Sequence, residues 1–202
     1  MTMTTSGGKR MTMTRNEFRD RYSPCREARK WARNNCTCMA DVWEKAKAEW
    51  LIWVATRPGV LDDRTLRLFA CWCVRQVWHL LSDERSRHAI EVAERYAEGA
   101  ATDKELATAQ KTAWLAATAA PSMEEGSAEW FAAVAVTWAV SWIAAWAAVG
   151  SSRDAATAAT LEAGATAATL ADQADYLRTH VPCPWEPEEE HEPEEDEDDE
   201  EE

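Results

Sequence analysis

Residues 129–150 read EWFAAVAVTWAVSWIAAWAAVG, and the twenty positions from Trp130 to Val149 carry no charged side chain. Because roughly twenty apolar residues can cross a bilayer core, this stretch is either a membrane-spanning helix or the buried helix of a water-soluble protein. Only six of its residues are strongly lipophilic, and much of the rest is alanine. At about −0.3 to −0.6 kcal/mol each near the bilayer centre, six such residues contribute only a few kcal/mol to insertion. The composition therefore favours a helix that is buried by protein.

The tryptophans of this stretch support the same interpretation. A membrane-spanning helix places tryptophan at the two membrane interfaces, whereas Trp138 and Trp142 would lie deep in the hydrocarbon. In a helix the indoles of the stretch share one side, and small residues lie beside them. Large groups next to small ones are typical of a helix that packs against other helices.

Capping and terminating residues divide the middle of the chain into about seven helices, and no segment alternates as a strand would. The predicted helices span residues 23–34, 41–57, 62–81, 82–99, 102–121, 122–150 and 151–179. Ser23 with Pro24, Ser82, and Thr102 with Glu105 are the clearest start signals. The predicted fold class is all-α, with the helices in an antiparallel bundle or a helical array.

The clearest helical periodicity predicts a core-facing stripe in the third helix. Apolar residues recur there at spacings of three and four, at Leu66, Phe69, Ala70, Cys73, Val74, Val77, Trp78 and Leu81. The seventh helix carries few large apolar side chains. It therefore needs a partner surface, either the sixth helix or a second copy of the chain.

The net charge of −14 is concentrated at one end of the chain. Residues 186–202 contain fourteen acidic side chains, and without them 22 acidic residues balance 22 basic ones. Residues 1–40 carry nine Lys or Arg against three acids, so a contact between the two ends is conceivable, although salt would screen it. A neutral domain followed by a negative run repels phosphate, and we expect no nucleic-acid binding through the body of the protein.

Both ends of the chain are predicted to be disordered. Residues 1–22 are basic, repeat MTMT ten residues apart, and have no apolar run of the kind found in signal peptides. Translation could begin at Met1 or at Met11. Residues 181–202 join proline to acidic side chains that repel each other and bury nothing. The expected organisation is a disordered basic segment (1–22), an all-α domain (23–180) and a disordered acidic tail (181–202).

A resemblance is carried by LRLFACWCVRQVWHLLSDERSRHAIEVAERYAEGAATDKELATAQKTAWLAA, residues 66–117. This segment resembles one that recurs in uncharacterised bacterial and phage proteins. In those proteins a Cys-x-Cys helix precedes a Trp-His-Leu-Leu and Asp-Glu-Arg-Ser-Arg hairpin and then an alanine-rich helical array. It is more distantly similar to proteins regarded as immunity proteins of bacterial toxin systems. The resemblance covers about residues 24–120 and implies a helical architecture, with no catalytic residues to transfer. The sixth helix and the acidic tail depart from it.

The six cysteines, without a secretory signal, indicate free thiols in a reducing compartment. Cys25, Cys36 and Cys38 are the candidates for a metal site, but a zinc knuckle usually separates its cysteines by two residues rather than one. Cys71 and Cys73 lie two apart on a helix and point away from each other, so they cannot chelate together. Structural thiols are the favoured interpretation, and we expect neither a metal nor a cofactor.

Charged residues cluster where the third and fourth helices join. His79 could serve as an acid or base, and Arg85 and Arg87 could bind an anion. The structural interpretation is favoured, because Glu91 is spaced to form four-residue helix pairs with Arg87 and Arg95. The sequence also has no phosphate-binding glycine loop, nucleophile elbow or metalloprotease spacing. We therefore expect no catalytic residues and no enzyme.

The expected function is that of a non-enzymatic, cytosolic, helical protein-interaction module of the immunity or phage-accessory kind. Twelve tryptophans exceed what one small core ordinarily needs, and aromatic residues often anchor interfaces. The expected partner is a protein, or this chain itself in a homo-oligomer. One alternative is a membrane-associated protein anchored by the helix at 130–149, and another is an inhibitor whose acidic tail imitates DNA. The predicted interaction residues are Trp130, Trp138, Trp142, Trp146 and Trp185.

Overall fold

The computed structural model describes residues 10–118, 127, 132–137 and 169–186. Its helices are α1 (Arg15–Tyr22), α2 (Arg26–Asn35), α3 (Met39–Lys45), α4 (Ala48–Ala55), α5 (Asp63–Gln76), α6 (Glu84–Ala97), α7 (Asp103–Thr118) and α8 (Thr169–His180), with a 3-10 turn at Trp78–Leu80. No strand occurs in these ranges, where the only β-type pairings are two isolated bridges. The all-α fold class is confirmed.

The long uncharged stretch is described only at residues 132–137, which are helical. Ala132, Ala135 and Val136 are completely buried there, so protein covers this part of the stretch. Its other residues lie outside the described ones. Across the ranges that are described, no helix is both long and apolar enough to cross a membrane.

Local capping sets the start of α5, the end of α6 and the start of α7 much as predicted. The carboxylate of Asp62 accepts a bond of 2.7 Å from the backbone N–H of Thr65, which starts α5. Thr102 and Glu105 form the expected capping box of α7, since each side chain accepts a bond from the other residue's backbone N–H. Gly99 adopts the left-handed conformation, with φ +76°, just after α6.

Two details of this region differ from expectation. The start of α6 is capped by Asp83 rather than Ser82, because an Asp83 carboxylate oxygen accepts a 2.8 Å bond from the N–H of Arg85. The predicted helix at 62–81 ends at Gln76, and a 3-10 turn follows it. Tightening into a 3-10 turn is common at helix ends, and here it leads the chain into α6.

The first helix corrects the boundary of the N-terminal segment predicted to be disordered, because Arg15–Tyr22 is helical. Thr14 and Glu17 form a complete capping box at its start, and Phe18 is buried. Ser23 ends α1 in the left-handed conformation, with φ 48°, instead of starting the next helix. Consequently α2 begins at Arg26, after the N-cap residue Cys25.

The helix predicted at 41–57 is broken into α3 and α4. Ala46 and Lys47 are extended, with ψ angles of 144° and 158°. The carbonyl of the buried Ala46 accepts a hydrogen bond from the guanidinium of Arg178 in α8. Because that partner lies 132 residues away, the local sequence does not reveal the break.

The side chains of the fold pack into two cores. The aromatic core joins α1, α3, α4 and α8 with residues 181–185, and the aliphatic core joins α6, α7 and residues 132–137. Helix α5 serves both, which confirms that the stripe predicted in the third helix is core. It contributes Phe69 and Cys73 to the aromatic core, and Ala70, Cys71, Val74 and Val77 to the aliphatic core.

The C-terminal segment, residues 181–186, corrects the expectation that disorder begins at 181. Trp185 is 1% exposed and its ring lies 6.1 Å from that of Phe18 and 6.0 Å from that of Trp43. Met11 pairs with this segment: its N–H donates to the Pro184 carbonyl at 2.7 Å, and its carbonyl accepts from the N–H of Glu186 at 3.1 Å. The two ends of the described chain therefore meet.

Candidate functional site

A cleft of about 880 Å³ opens between α1 and α2 on one side and α3 and α4 on the other. Its size falls within the roughly 300–1,000 Å³ that is usual for ligand pockets. Large apolar side chains line it, namely Phe18, Trp31, Met39, Val42, Trp50, Trp53 and Val54. Its polar lining residues include Arg15, Asn16, Arg19, Arg29, Arg33 and Glu49.

The cleft exists because α2 packs only loosely against the rest of the fold. Helix α2 reads REARKWARNN, so Trp31 is its only large apolar residue, and none of its side chains is fully buried. The indole of Trp31 meets that of Trp50 at 5.3 Å between ring centroids. Arg15 holds the far end, since its guanidinium donates to the carbonyls of Ala32 and Thr37 at 3.3 and 3.1 Å. Between these contacts the space under α2 stays open.

Three indoles form the most distinctive part of the cleft. Trp31, Trp50 and Trp53 are partly buried, so each presents a face to the aromatic core and another to the cleft. Trp53 packs edge-on against Phe18, with ring centroids 6.1 Å apart. Indoles combine a large apolar surface with an N–H donor, and they are enriched at binding interfaces.

The charge of the cleft is positive. Four arginines line it against one carboxylate, Glu49, whose oxygen lies 2.9 Å from the ammonium group of Lys47. That hydrogen bond to Glu49 raises the pKa of Lys47, which also lies 4.4 Å above the ring of Trp50. Guanidinium groups stay protonated in proteins and offer several donors in a fixed plane. The cleft therefore suits a ligand with both an apolar group and carboxylates.

The three candidate metal ligands do not form a metal site. Cys25 is exposed at the start of α2, whereas Cys36 and Cys38 are buried on either side of Thr37. Burial and the nearby carboxylate of Asp41 raise the pKa of Cys36 to about 11, so this thiol stays protonated at neutral pH. Within the described part of the chain, no group of three or more Cys, His, Asp or Glu side chains could hold a metal.

The other two cysteines of interest point into different cores, as their spacing predicted. Cys71 lies in the aliphatic core and Cys73 in the aromatic core. Burial raises the pKa of Cys71 to about 12, so this thiol is unreactive at neutral pH. Both behave as small apolar residues of the core.

The candidate catalytic residues His79, Arg85 and Arg87 do not share a site. The two arginines form local ion pairs instead. His79 is exposed on the 3-10 turn. Arg85 pairs with Asp83 at 2.6 Å and lowers the pKa of that carboxyl, while Arg87 pairs with Glu84 at 2.9 Å. The expected pairs of Glu91 with Arg87 and Arg95 do not form: Glu91 lies near His88, and Arg95 pairs with Glu105. These contacts fix the start of α6 and its packing on α7.

The predicted interaction residues have two different outcomes. Trp130, Trp138, Trp142 and Trp146 lie outside the described residues. Trp185 is inside the aromatic core, where it cannot serve as a surface anchor. The sequence did not single out Trp31, Trp50 and Trp53 as residues of a site. One feature of the sequence could have indicated the cleft. Trp31 of α2 is flanked by Arg29, Lys30 and Arg33, whose charged groups are rarely buried together with an indole.

No family model, no curated protein and no solved structure matches the chain. The resemblance of residues 66–117 to bacterial and phage proteins therefore stays a prediction.

Proposed function

We propose that the chain is a non-enzymatic protein-interaction module, and that its cleft binds a segment of a partner protein. The observation that supports this is the pairing of three indoles with four arginines around one opening. Such a surface suits a segment in which an aromatic or large aliphatic side chain is flanked by Asp or Glu. The apolar side chain would fill the space between Trp31, Trp50 and Trp53, and the carboxylates would meet arginines of the cleft such as Arg29.

The chemistry of the cleft favours binding over catalysis. Its charged lining is mostly arginine, a residue type that serves as an anion-binding donor rather than as a general acid or base. The carboxylate of Glu49 is already engaged by Lys47, and Cys25 is exposed at the edge. An immunity-type or phage-accessory protein would act through such a surface, by occupying a site on its partner.

A peptide library selected on the full-length protein tests this proposal. We expect enriched sequences that combine an aromatic or leucine residue with two or more acidic residues. Loss of enrichment above background, or enrichment of sequences without this combination, would contradict the proposed chemistry.

Variants then locate the binding site of a selected peptide. Arg29→Glu changes an exposed residue and should weaken binding by about tenfold, as expected for a charge pair turned into a repulsion. Trp50→Ala should weaken it at least as much. Trp114→Ala is the matched control, because this indole is 56% exposed on α7, away from the cleft. Equal losses in Trp50→Ala and Trp114→Ala would show that the peptide binds elsewhere.

A further inference from the structure

Positive charge is concentrated on the two helices that form one side of the cleft. Residues 15–35 contain seven Lys or Arg and three acids. Two of those acids already have local partners: Glu17 caps α1, and Asp20 lies 3.0 Å from Arg19. Arg26, Arg29 and Lys30 are exposed on α2. This basic face extends from the cleft over the outer surface of α2.

The most acidic part of the chain begins beside this face. The N–H of Glu186 bonds to the carbonyl of Met11, three residues before the N-cap residue of α1. Trp185 contacts Phe18, which lines the cleft. Residues 187–202 follow directly, and 13 of these 16 residues are Asp or Glu. Sixteen residues span up to about 55 Å when extended, which exceeds the length of α1 or α2 several times.

We propose that residues 187–202 bind the arginines of the cleft and the basic face of α2, so that the chain supplies its own occupant for the site. This inference rests on the proposed function, because the arginines that would receive a partner's carboxylates receive those of the tail. Residues 187–202 contain only Pro, His, Asp and Glu, so they offer no large aliphatic or indole side chain to fill the space between the three indoles. A partner segment that carries both carboxylates and an apolar anchor therefore displaces the tail.

Tethering makes this contact effective. Exposed ion pairs are individually weak, and a free peptide of this sequence would bind poorly. Attachment at Glu186, next to α1, keeps the carboxylates near the basic face at an effective concentration on the order of millimolar. The contact is electrostatic, and added salt should release it. The tail thereby excludes ligands that offer charge alone and admits those that also fill the space between the indoles.

Carbodiimide cross-linking of the full-length chain tests the contact. The reagent joins a carboxylate to a neighbouring amine as an amide and takes up the water that is released. Lys30 on α2 and Lys111 on α7 are both exposed, and only Lys30 lies on the basic face. At low salt we expect amides between Lys30 and residues 188–202 to exceed those with Lys111 by about fivefold or more, given the local concentration of the tail. At about 1 M salt, where screening acts within roughly 3 Å, the Lys30 excess should fall to the lower level that the tether alone gives, and an excess that salt leaves unchanged would overturn the proposal.

A mixture of isotopically heavy and light chains separates links within one chain from links between chains. Equal yields at Lys30 and Lys111 at low salt, or links only between chains, would overturn the proposal. The double variant Arg26→Glu with Arg29→Glu should lower the Lys30 yield several-fold. Lys104→Glu with Lys111→Glu makes the same charge change on α7 and should leave it unaltered. Circular dichroism confirms that each variant retains its helices.

The two proposals can fail separately. Strong links at Lys30 without any selected peptide would retain the tail contact and reject the partner-binding function. A selected peptide that binds the cleft while Lys30 links stay at background would retain the partner-binding function and reject the tail contact. If both hold, adding the peptide should lower the yield of Lys30 links.

Discussion

The aromatic core joins distant parts of the chain, whereas the aliphatic core is built from consecutive helices. The first brings α1, α3 and α4 together with α8 and residues 181–185. The second packs α5 on α6 and α6 on α7, in the order of the sequence. Closing long loops costs conformational entropy, so the aromatic core depends on the return of the C-terminal part of the chain. Because the walls of the cleft belong to the aromatic core, the site is sensitive to residues far from it.

The largest expected effect comes from removing Trp185. Trp185→Ala leaves a cavity between Phe18 and Trp43 and should lower the free energy of unfolding by about 3–5 kcal/mol. Hydrogen exchange should accelerate more in α1, α3, α4 and α8 than in α6 and α7, because only the aromatic core loses a side chain. Urea denaturation measures the free energy of unfolding. The control variant Trp114→Ala should change this free energy by less than about 0.5 kcal/mol. A uniform acceleration in all helices would show that the two cores unfold together.

A smaller effect is expected from Arg178, which connects α8 to the junction of α3 and α4. Arg178→Met keeps an apolar stem but leaves the buried Ala46 carbonyl without its donor, at a cost of about 1.5–3 kcal/mol. The amides of Trp50 and Leu51, which bond to the Lys47 carbonyl, should exchange faster than those of α7. Arg85→Met removes an exposed ion pair on α6 and is the matched control. If both variants lose the same stability, the long-range bond is not what stabilises the break.

Prediction from sequence succeeds where an interaction is local and fails where it joins distant parts of the chain. Asp62, Gly99, and Thr102 with Glu105 act on backbone groups within a few residues of themselves, so the start of α5, the end of α6 and the start of α7 were predicted closely. The break at Ala46 depends on α8, so the local sequence suggested one continuous helix. Trp185 follows two prolines and precedes a charge run, and its burial depends on Met11, Phe18 and Trp43.

The candidate site was predictable only in its parts. Trp50 and Trp53 recur at helical spacing, as residues on the core-facing side of a helix do, and both pack against the aromatic core. The cleft arises because α2 stands away from that side, and this requires knowing where Trp31 and Arg15 make their contacts. The arginines were recognised as a basic region, but a count of charges does not place them around an opening.

A third effect is the dependence of stability on pH that Asp41 of α3 gives to the region of the aromatic core. Burial disfavours ionisation of Asp41, but hydrogen bonds from Lys45 and Thr37 outweigh it and lower its pKa to about 2. A carboxyl whose pKa is lowered in the folded state stabilises the fold above its unfolded pKa of about 3.9. This contribution is lost as the pH falls towards 2. Asp41→Asn should therefore cost about 1–2 kcal/mol near pH 7, and the difference from the unchanged protein should shrink between pH 4 and 2.

Urea denaturation at a series of pH values measures this difference. Glu105→Gln in α7 is the control in the aliphatic region, because hydrogen bonds from Thr102 also lower the pKa of that carboxyl but its side chain is more exposed. Glu105→Gln should also lower the free energy of unfolding near pH 7, but by less than Asp41→Asn does. A penalty in Asp41→Asn that stays constant down to pH 2 would show that shape rather than charge accounts for the loss.

The smallest effect is expected from Thr102, where the interaction is entirely local. Thr102→Ala removes the acceptor for the N–H of Glu105, at a cost of about 0.5–1 kcal/mol. Because α7 packs on α6 along its length, the loss should be confined to the first turn of α7 and leave the aromatic core unchanged. Hydrogen exchange of the amides at 103–106 measures it, and Thr108→Ala, whose hydroxyl bonds within the same helix, is the control. Faster exchange in α3 or α4 of the Thr102 variant would mean that α5 couples the two cores more strongly than their separate side chains indicate.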